Sequence, residues 1–465
     1  MTFKSNSTTQ AFASDTVPAL FGTGNNSPLT TNATTSDIIT VTQSDYSTLD
    51  WFGGFCRTGF GKVLISAHRK GTANPTTTSN DFAGAVYAFD TEGNNEIKMV
   101  QPGTPAPDKY FGYGLGITDR GYVIGSYISN TVYLFDYNGN TSNVTTLTSN
   151  TVAATRYFGK VVTANSGKIA IGGLVANVDK IHVYDSDGSN EQVLEMSSDL
   201  FPAWANAADF ANSSTGVFFG TAENSIAIGS DRIVVGAKDF PNDYEGNTDY
   251  NPGAAFVYDT DLNYIMTLRP SDRQFGPAAN TVFSSNNRLE YGHSVAVGCG
   301  RIAVGTQYKA RAGGINAVGA VYLYDMNGKE ITILDPEKAG YSTSANSGIN
   351  SFMRFGETVV INGGRVYVAA HDWDGANSEL LAAGAVFQFT LDGDFIQAWQ
   401  PSDLAFSDLM GKFSALDVRD GTMVIGAYAA DPFGGVHSAS GQARIVKVPD
   451  TITPQDLKDM NESLI

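Results

Sequence analysis

Charge is scarce in this chain. Of 465 residues, 16% are Asp, Glu, Lys or Arg, against about 25% in an ordinary soluble domain. Ser, Thr, Asn and Gly must therefore supply most of the polar surface. That composition disfavours long solvated helices and suits short strands joined by many turns. Basic residues are scarcer still: 29 Lys and Arg against 47 Asp and Glu leave a net charge of −18. Such a surface repels phosphate backbones, so nucleic-acid binding is not expected. No run of about 18 apolar residues occurs, so no membrane insertion by a spanning helix is expected. The two cysteines, Cys56 and Cys299, form neither a disulfide framework nor a zinc spacing, and read as small buried apolar residues. Met1 to Ser7 lacks the apolar core of a secretory signal, so export by that route is not expected. No Gly-x-Ser-x-Gly elbow, phosphate-binding glycine loop or His-Glu-x-x-His occurs.

What the chain does have is a repeat. Tyr291 to Leu334 reads as four short strands: Ser294-Val295-Ala296-Val297, Arg301-Ile302-Ala303-Val304-Gly305, Ala320-Val321-Tyr322-Leu323-Tyr324, and Glu330-Ile331-Thr332-Ile333-Leu334. The runs are β-branched and aromatic, and Gly or Asn-Gly punctuates them. One such unit buries neither of its faces alone and needs copies of itself. An aromatic residue followed by Gly recurs at Phe52, Phe111, Phe158, Tyr291 and Phe355, with Met410-Gly411 a degenerate copy. A further copy aligns Asn224–Ala237 with His293–Thr306, which puts its start at Ala222-Glu223 and leaves Phe219-Gly220 three residues early. Seven units result.

The ends of the chain complement each other. The last unit supplies three strands, at 413–418, 422–427 and 441–448, and stops. Ile38–Val41 reads as a lone strand before the first aromatic-Gly. A ring closes if that strand completes the last unit, which removes exposed sheet edges. The expected fold class is therefore all-β: a seven-bladed β-propeller of four-stranded antiparallel blades over residues 37–448. Residues 1–36 form a Ser/Thr/Asn-rich arm that composition predicts to be disordered alone. Its apolar patch at Val17, Leu20 and Phe21 is the expected contact with a partner. In the tail, 449–465, Thr453 and Pro454 predict a short helix, a second contact for other subunits.

Turns within blades are short between strands one and two (Gly298-Cys299-Gly300, Asn362-Gly363-Gly364) and between strands three and four (Asp185-Ser186-Asp187-Gly188, Asp325-Met326-Asn327-Gly328). Both fall on one face. The two-to-three loops and the blade connectors fall on the other and are long. Long loops on a rigid scaffold usually carry binding.

The series aromatic-Gly, Ser-Val-Ala-Val, Ile-Ala-Val-Gly and Gly-Ala-Val-Tyr-Leu-Tyr resembles the FG-GAP repeats of integrin α-subunit heads and related bacterial proteins, over about residues 38–448. The resemblance implies a seven-bladed propeller with a binding role. In that family calcium usually sits in an acidic loop between strands one and two. Here turns such as Val297-Gly298-Cys299-Gly300-Arg301 replace that loop, so this metal is not carried over.

Contacts are expected on the long-loop face, from Tyr244, Tyr250, Tyr308, His371, Asp372, Trp373 and Asp374, with alanine at Trp373, Tyr250 or Tyr308 weakening binding but not folding. No metal or cofactor is expected. The nearest approach to a calcium loop is Asp372, Asp374, Asn377 and Glu379, read as a polar loop under a Trp lid. Asp239, Asp243, Glu245 and Asp249 make an acidic loop beside two tyrosines, read as solvated. The five histidines, His68, His182, His293, His371 and His437, share no motif and read as unlinked. The polar composition, the missing export signal and the arm point to a non-enzymatic virion component, as in a bacteriophage: a tail, fibre or capsid-associated subunit contacting other subunits and a host surface glycan. The alternatives are a cellular carbohydrate- or protein-binding propeller, soluble and without a signal peptide, and a propeller hydrolase or lyase acting on polysaccharide.

Overall fold

The computed structural model describes residues 38–71, 82–103, 105–148, 155–175, 178–200, 219–240, 252–271, 289–309, 318–340, 353–373, 382–400, 407–432 and 439–448. Its strands form seven antiparallel sheets of four strands each. Blade 5 runs Ser294–Gly298, Arg301–Thr306, Ala320–Asp325 and Glu330–Leu334, as the repeat predicts. The first strands of successive blades lie side by side around the axis, the last beside the first. The only helical turns among the described residues are two short 3-10 segments, Thr141–Asn143 and Ser198–Leu200.

The ring is closed by the two ends of the propeller. Ile38–Val41 pairs antiparallel with Gln442–Lys447, with Ile39 opposite Ile445 and Val41 opposite Ala443. It is the fourth, outermost strand of blade 7. Val41 is buried with Val424, Ala443 and Ile445 in the core shared by blades 7 and 1. The arm patch at Val17, Leu20 and Phe21, and the expected C-terminal helix, lie outside the described residues.

The aromatic-Gly motif has a local cause. It occupies the centre of a turn in which the third residue on donates its N–H back, as His293 N does to Glu290 O at 3.0 Å and Glu357 N to Arg354 O at 3.2 Å. Gly292 and Gly356 have φ of 90° and 93°, the value a type II turn requires at its third position. The aromatic before the Gly turns into the blade: Tyr291 packs edge-on against Tyr322 and Phe355 against Phe387. The glycine ending strand two is a matter of close approach. A Cβ on Gly236 would lie 1.9 Å from the carbonyl oxygen of Gly292 in the next blade.

These marks correct the start of blade 4. Phe219 is buried and packs on Phe256 at 5.8 Å, and a Cβ on Gly172 would meet the Gly220 oxygen at 2.1 Å. Phe219-Gly220 is therefore the aromatic-Gly of this blade. Thr221, Ala222 and Glu223 are an insertion behind it, which shifted the alignment of the repeat.

The short turns use the chemistry that their length demands. Cys299 and Gly300 have φ of 50° and 70°, and Asp420 and Gly421 51° and 70°, as in two-residue type I′ hairpin turns. Cys299 thus sits in the expected turn but is half-buried, which corrects its reading as a buried residue, while Cys56 is buried. At the three-to-four turns Asp325 Oδ1 accepts from the backbone N–H groups of Asn327 and Lys329, both at 2.9 Å. These aspartates hold turns, as their spacing implied.

Candidate functional site

The chain enters each inner strand from the long-loop face, so the residue before the aromatic-Gly stands on that face beside the axis. Those residues are Trp51, Tyr110, Tyr157, Glu290, Arg354 and Leu409, with φ between 51° and 62°. Left-handed backbone at a bulky side chain costs on the order of 1–3 kcal/mol. It is imposed by the turn that follows, and it aims six side chains of differing chemistry at one face. Aromatic residues hold the position in blades 1 to 3, and charged ones in blades 5 and 6.

The charged side is built on Glu357. One carboxylate oxygen lies between His293 Nε2 at 3.3 Å and His371 Nδ1 at 3.7 Å. The other accepts the Phe413 N–H at 3.2 Å. All three side chains are buried. Around them, Glu290 takes Lys238 at 3.3 Å, Gln307 at 3.0 Å and His293 Nδ1 at 3.4 Å. Asp372 takes Arg354 Nε at 3.2 Å and faces His371 Nε2 at 3.5 Å. The Arg354 guanidinium also lies 4.4 Å from the Tyr308 ring centre.

These surroundings set the protonation. Burial pushes the His293 imidazole down, but the carboxylates of Glu357 and Glu290 outweigh it and raise it to about 9. Burial pushes Glu357 up, and the imidazoles of His371 and His293 pull it down to about 2. Glu290 is likewise held at about 2, against burial, by His293 and Lys238. Burial keeps His371 below the usual histidine range, although Glu357 and Asp372 oppose it. At neutral pH Glu357 and Glu290 are thus ionised around a His293 cation, and neither carboxyl is near the neutral range that a general acid needs.

Two insertions plug the axis beneath this face. Phe413, in blade 7, accepts at its backbone oxygen from Asn224 Nδ2 at 2.6 Å and Thr358 Oγ1 at 2.8 Å, and Asn224 also bonds Ser414. The Glu223 carboxylate meets Lys160 at 3.2 Å and the Tyr113 hydroxyl at 3.1 Å. Below the plug a channel cavity of about 140 Å³ runs between the inner strands toward the short turns, where Arg419 reaches across to Asn165.

The aromatic side is a chain of rings. Trp51 lies over Arg69, and Phe82 stacks on Tyr110 at 5.3 Å. Tyr110 meets Tyr127 at 5.5 Å, and Tyr127 meets Tyr157 at 6.0 Å. Trp51, Phe82, Tyr110 and Tyr127 are half-buried and Tyr157 is exposed. Beneath them Phe55, Tyr113, Phe413 and the buried His68 pack against one another. Burial, with Arg69 adding to it, drives His68 down to about 3, so it is a neutral core residue.

Of the residues expected on this face, Tyr308, His371 and Asp372 join the charged cluster. Trp373 is a correction: it is 1% exposed and packs edge-on against Phe387 at 5.3 Å, inside blade 6. It is core, not a lid or a contact, and its loss should affect folding. The histidines are a second correction, since His293 and His371 share Glu357. Tyr244, Tyr250, Asp374, Asn377 and Glu379 lie outside the described residues. Asp372, the described part of the calcium reading, has its carboxylate turned to Arg354 and His371. Among the described residues no three His, Cys, Asp or Glu are grouped to hold a metal ion. Sequence reasoning missed the aromatic arc, although doubled aromatics before Gly (Trp51-Phe52, Tyr110-Phe111, Tyr157-Phe158) announce it.

No family model matches the chain. No curated protein sequence matches it either. Among solved structures, the β-propeller domain of the trilobed protease from Pyrococcus furiosus, described as having an open velcro topology, is similar at 10% identity with a TM-score of 0.45, over 83% of this chain and 90% of that one. Among the described residues no helix is long and apolar enough to cross a membrane. What the strand pairing establishes is the fold: the chain is a seven-bladed, four-stranded β-propeller closed by its own first strand.

Proposed function

We propose that this protein is a non-enzymatic binding propeller, a subunit of a larger assembly that uses its long-loop face for recognition. The observation that carries this reading is the asymmetry of the two faces. One is trimmed to short turns of two to five residues in blades such as the fifth and sixth, while the other gathers aromatic side chains from blades 1 to 3 and charged ones from blades 4 to 6 around the axis. Strained backbone aims them there. Catalysis is disfavoured by the same cluster: its carboxylates are buried in ion pairs with cations, and Phe413 and Asn224 block the axis beside them. A paired acid and base acting on a sugar needs one carboxyl poised near neutral pH and room between the two. The FG-GAP resemblance, with its binding role, fits this reading. Placement in a virion, as a tail, fibre or capsid-associated part, is proposed from the polar composition and the arm at 1–36.

The test compares variants of the two faces in the whole chain, read by retention on the particles or cells that carry the protein. Tyr110→Ala with Arg354→Gln should weaken retention at least tenfold. Phe60→Ala with Asp420→Asn, on the short turns, should leave it unchanged. The reverse pattern overturns the reading.

A further inference from the structure

We propose that the aromatic arc is a binding site for an anionic glycan, with Arg69 reading the acid group. The inference rests on the long-loop face being the recognition surface.

The arc spans three blades. Core aromatics at the neighbouring positions, Phe52, Phe111 and Phe158, are wholly buried, whereas Tyr157 is 40% exposed. Phe82, Tyr110, Tyr127 and Tyr157 touch in series with ring centres 5.3 to 6.0 Å apart. Each position before the aromatic-Gly would be relaxed by Gly or Asn, which adopt left-handed backbone readily. In blades 1, 2 and 3 it is held by Trp or Tyr instead. A curved series of rings, tilted by 45° between Tyr110 and Tyr127 and by 39° between Tyr127 and Tyr157, with phenolic edges, suits pyranose sugars. The C–H face of the sugar stacks on the ring, and its hydroxyls meet the polar rim.

Arg69 gives the arc its charge preference. Its guanidinium carbon lies 3.3 Å from the Trp51 ring centre and 5.2 Å from that of Phe82. Stacking uses the faces of the guanidinium and leaves its N–H edges. Its Nε is buried without an acceptor, and no carboxylate among the described residues pairs with it. The adjacent Lys70, by contrast, pairs with Asp50 at 2.8 Å and with Asp45 at 3.5 Å. An unmet buried donor costs on the order of 1–3 kcal/mol. In a chain with a net charge of −18, a guanidinium left unpaired against two rings is a site for an incoming acid. Its planar fork takes a carboxylate or sulfate through two parallel hydrogen bonds. The overall negative charge does not prevent this, because at physiological salt charges beyond about 8 Å are largely screened.

The experiment presents the whole chain to an array of uronic acid-, sialic acid- and sulfate-bearing glycans and their neutral counterparts, then titrates the best acidic glycan by tryptophan fluorescence. Acidic glycans should bind at least tenfold more tightly than neutral ones. Arg69→Gln should abolish that preference and Arg69→Lys retain part of it. Tyr110→Ala should weaken both classes, with unfolding temperatures unchanged. The proposal falls if no glycan binds, if acidic and neutral glycans bind equally, or if Arg69→Gln binds as the native chain does. If instead a protein partner cross-links to this face, the glycan fails and the recognition face stands. Cross-links confined to the short turns would remove both.

Discussion

Replacing His293 with glutamine should change how stability responds to alkali, by an amount the buried cluster sets. The imidazole titrates near 9 in the folded chain and near 6.5 in an unfolded one. A base raised on folding contributes stability that is complete below its unfolded value and is lost as the pH rises through its folded value. The difference of about 2.5 units corresponds to about 3.4 kcal/mol at most. At pH 7.5, one unit above the unfolded value, about 2 kcal/mol of it remains, and by pH 9.5 almost none does. His293 is only 4% exposed, so solvent screening takes little from this figure. The assay is the urea unfolding midpoint at intervals between pH 7.5 and 9.5, below the range where unfolded tyrosines ionise. Protonation of His293 should account for about 2 kcal/mol of the stability that the native protein loses across that interval. His293→Gln should start lower and lose about 2 kcal/mol less, its remaining slope coming from the buried Cys56 thiol, which burial pushes up on folding. A native chain that is flat over the interval, or a variant with the native slope, would refute the assignment of a protonated His293 between Glu290 and Glu357.

On the acid side His68, held neutral at about 3, contributes stability that is complete above 6.5 and is lost below it. His68→Phe should therefore resist mild acid better than the native chain, by about 2 kcal/mol at pH 5 in the same urea assay. Removing residues 1–36 should leave the unfolding temperature unchanged, whereas removing 1–43 deletes the Ile38–Val41 strand, exposes an edge and should lower stability and promote aggregation by light scattering. Trp373→Ala should cost about 3–5 kcal/mol in urea unfolding, as for other buried tryptophans. Chelator should leave the unfolding temperature essentially unchanged; a large drop restored by calcium would contradict this and point to the loop from Asp372 to Glu379.

The parts legible in the sequence are those set by neighbours in the chain. The repeat, the short turns between strands one and two and the Asp-x-x-Gly turns are local, and the spare strand at Ile38 follows from counting strands against the incomplete last unit. Three features were not legible, each for a physical reason. The three-residue insertion after Phe219-Gly220 moved the repeat out of phase, and the local match at Asn224 favoured the wrong start. Trp373 follows a strand and opens a polar loop, so it looked exposed, although its ring folds back on Phe387. Glu357, His293 and His371 are brought together by ring geometry, from the inner strands of blades 5 and 6 and the end of strand two of blade 6, with no spacing to reveal it. The aromatic arc was half legible: the doubled aromatics were present, but which one turned outward depended on the type II turn.

Lysines mark both faces, and they allow the recognition claim to be measured without knowing the partner. Lys109 and Lys412 stand on the long-loop side, while Lys62, Lys168 and Lys329 stand at the short turns. Lysine cross-linking with mass spectrometry, on the intact particles or cells that carry the protein, reads which set meets another molecule. Recognition by the long-loop face predicts partner cross-links from Lys109 and Lys412, with Lys62, Lys168 and Lys329 unlinked. Partner cross-links concentrated on Lys62, Lys168 and Lys329 would contradict it.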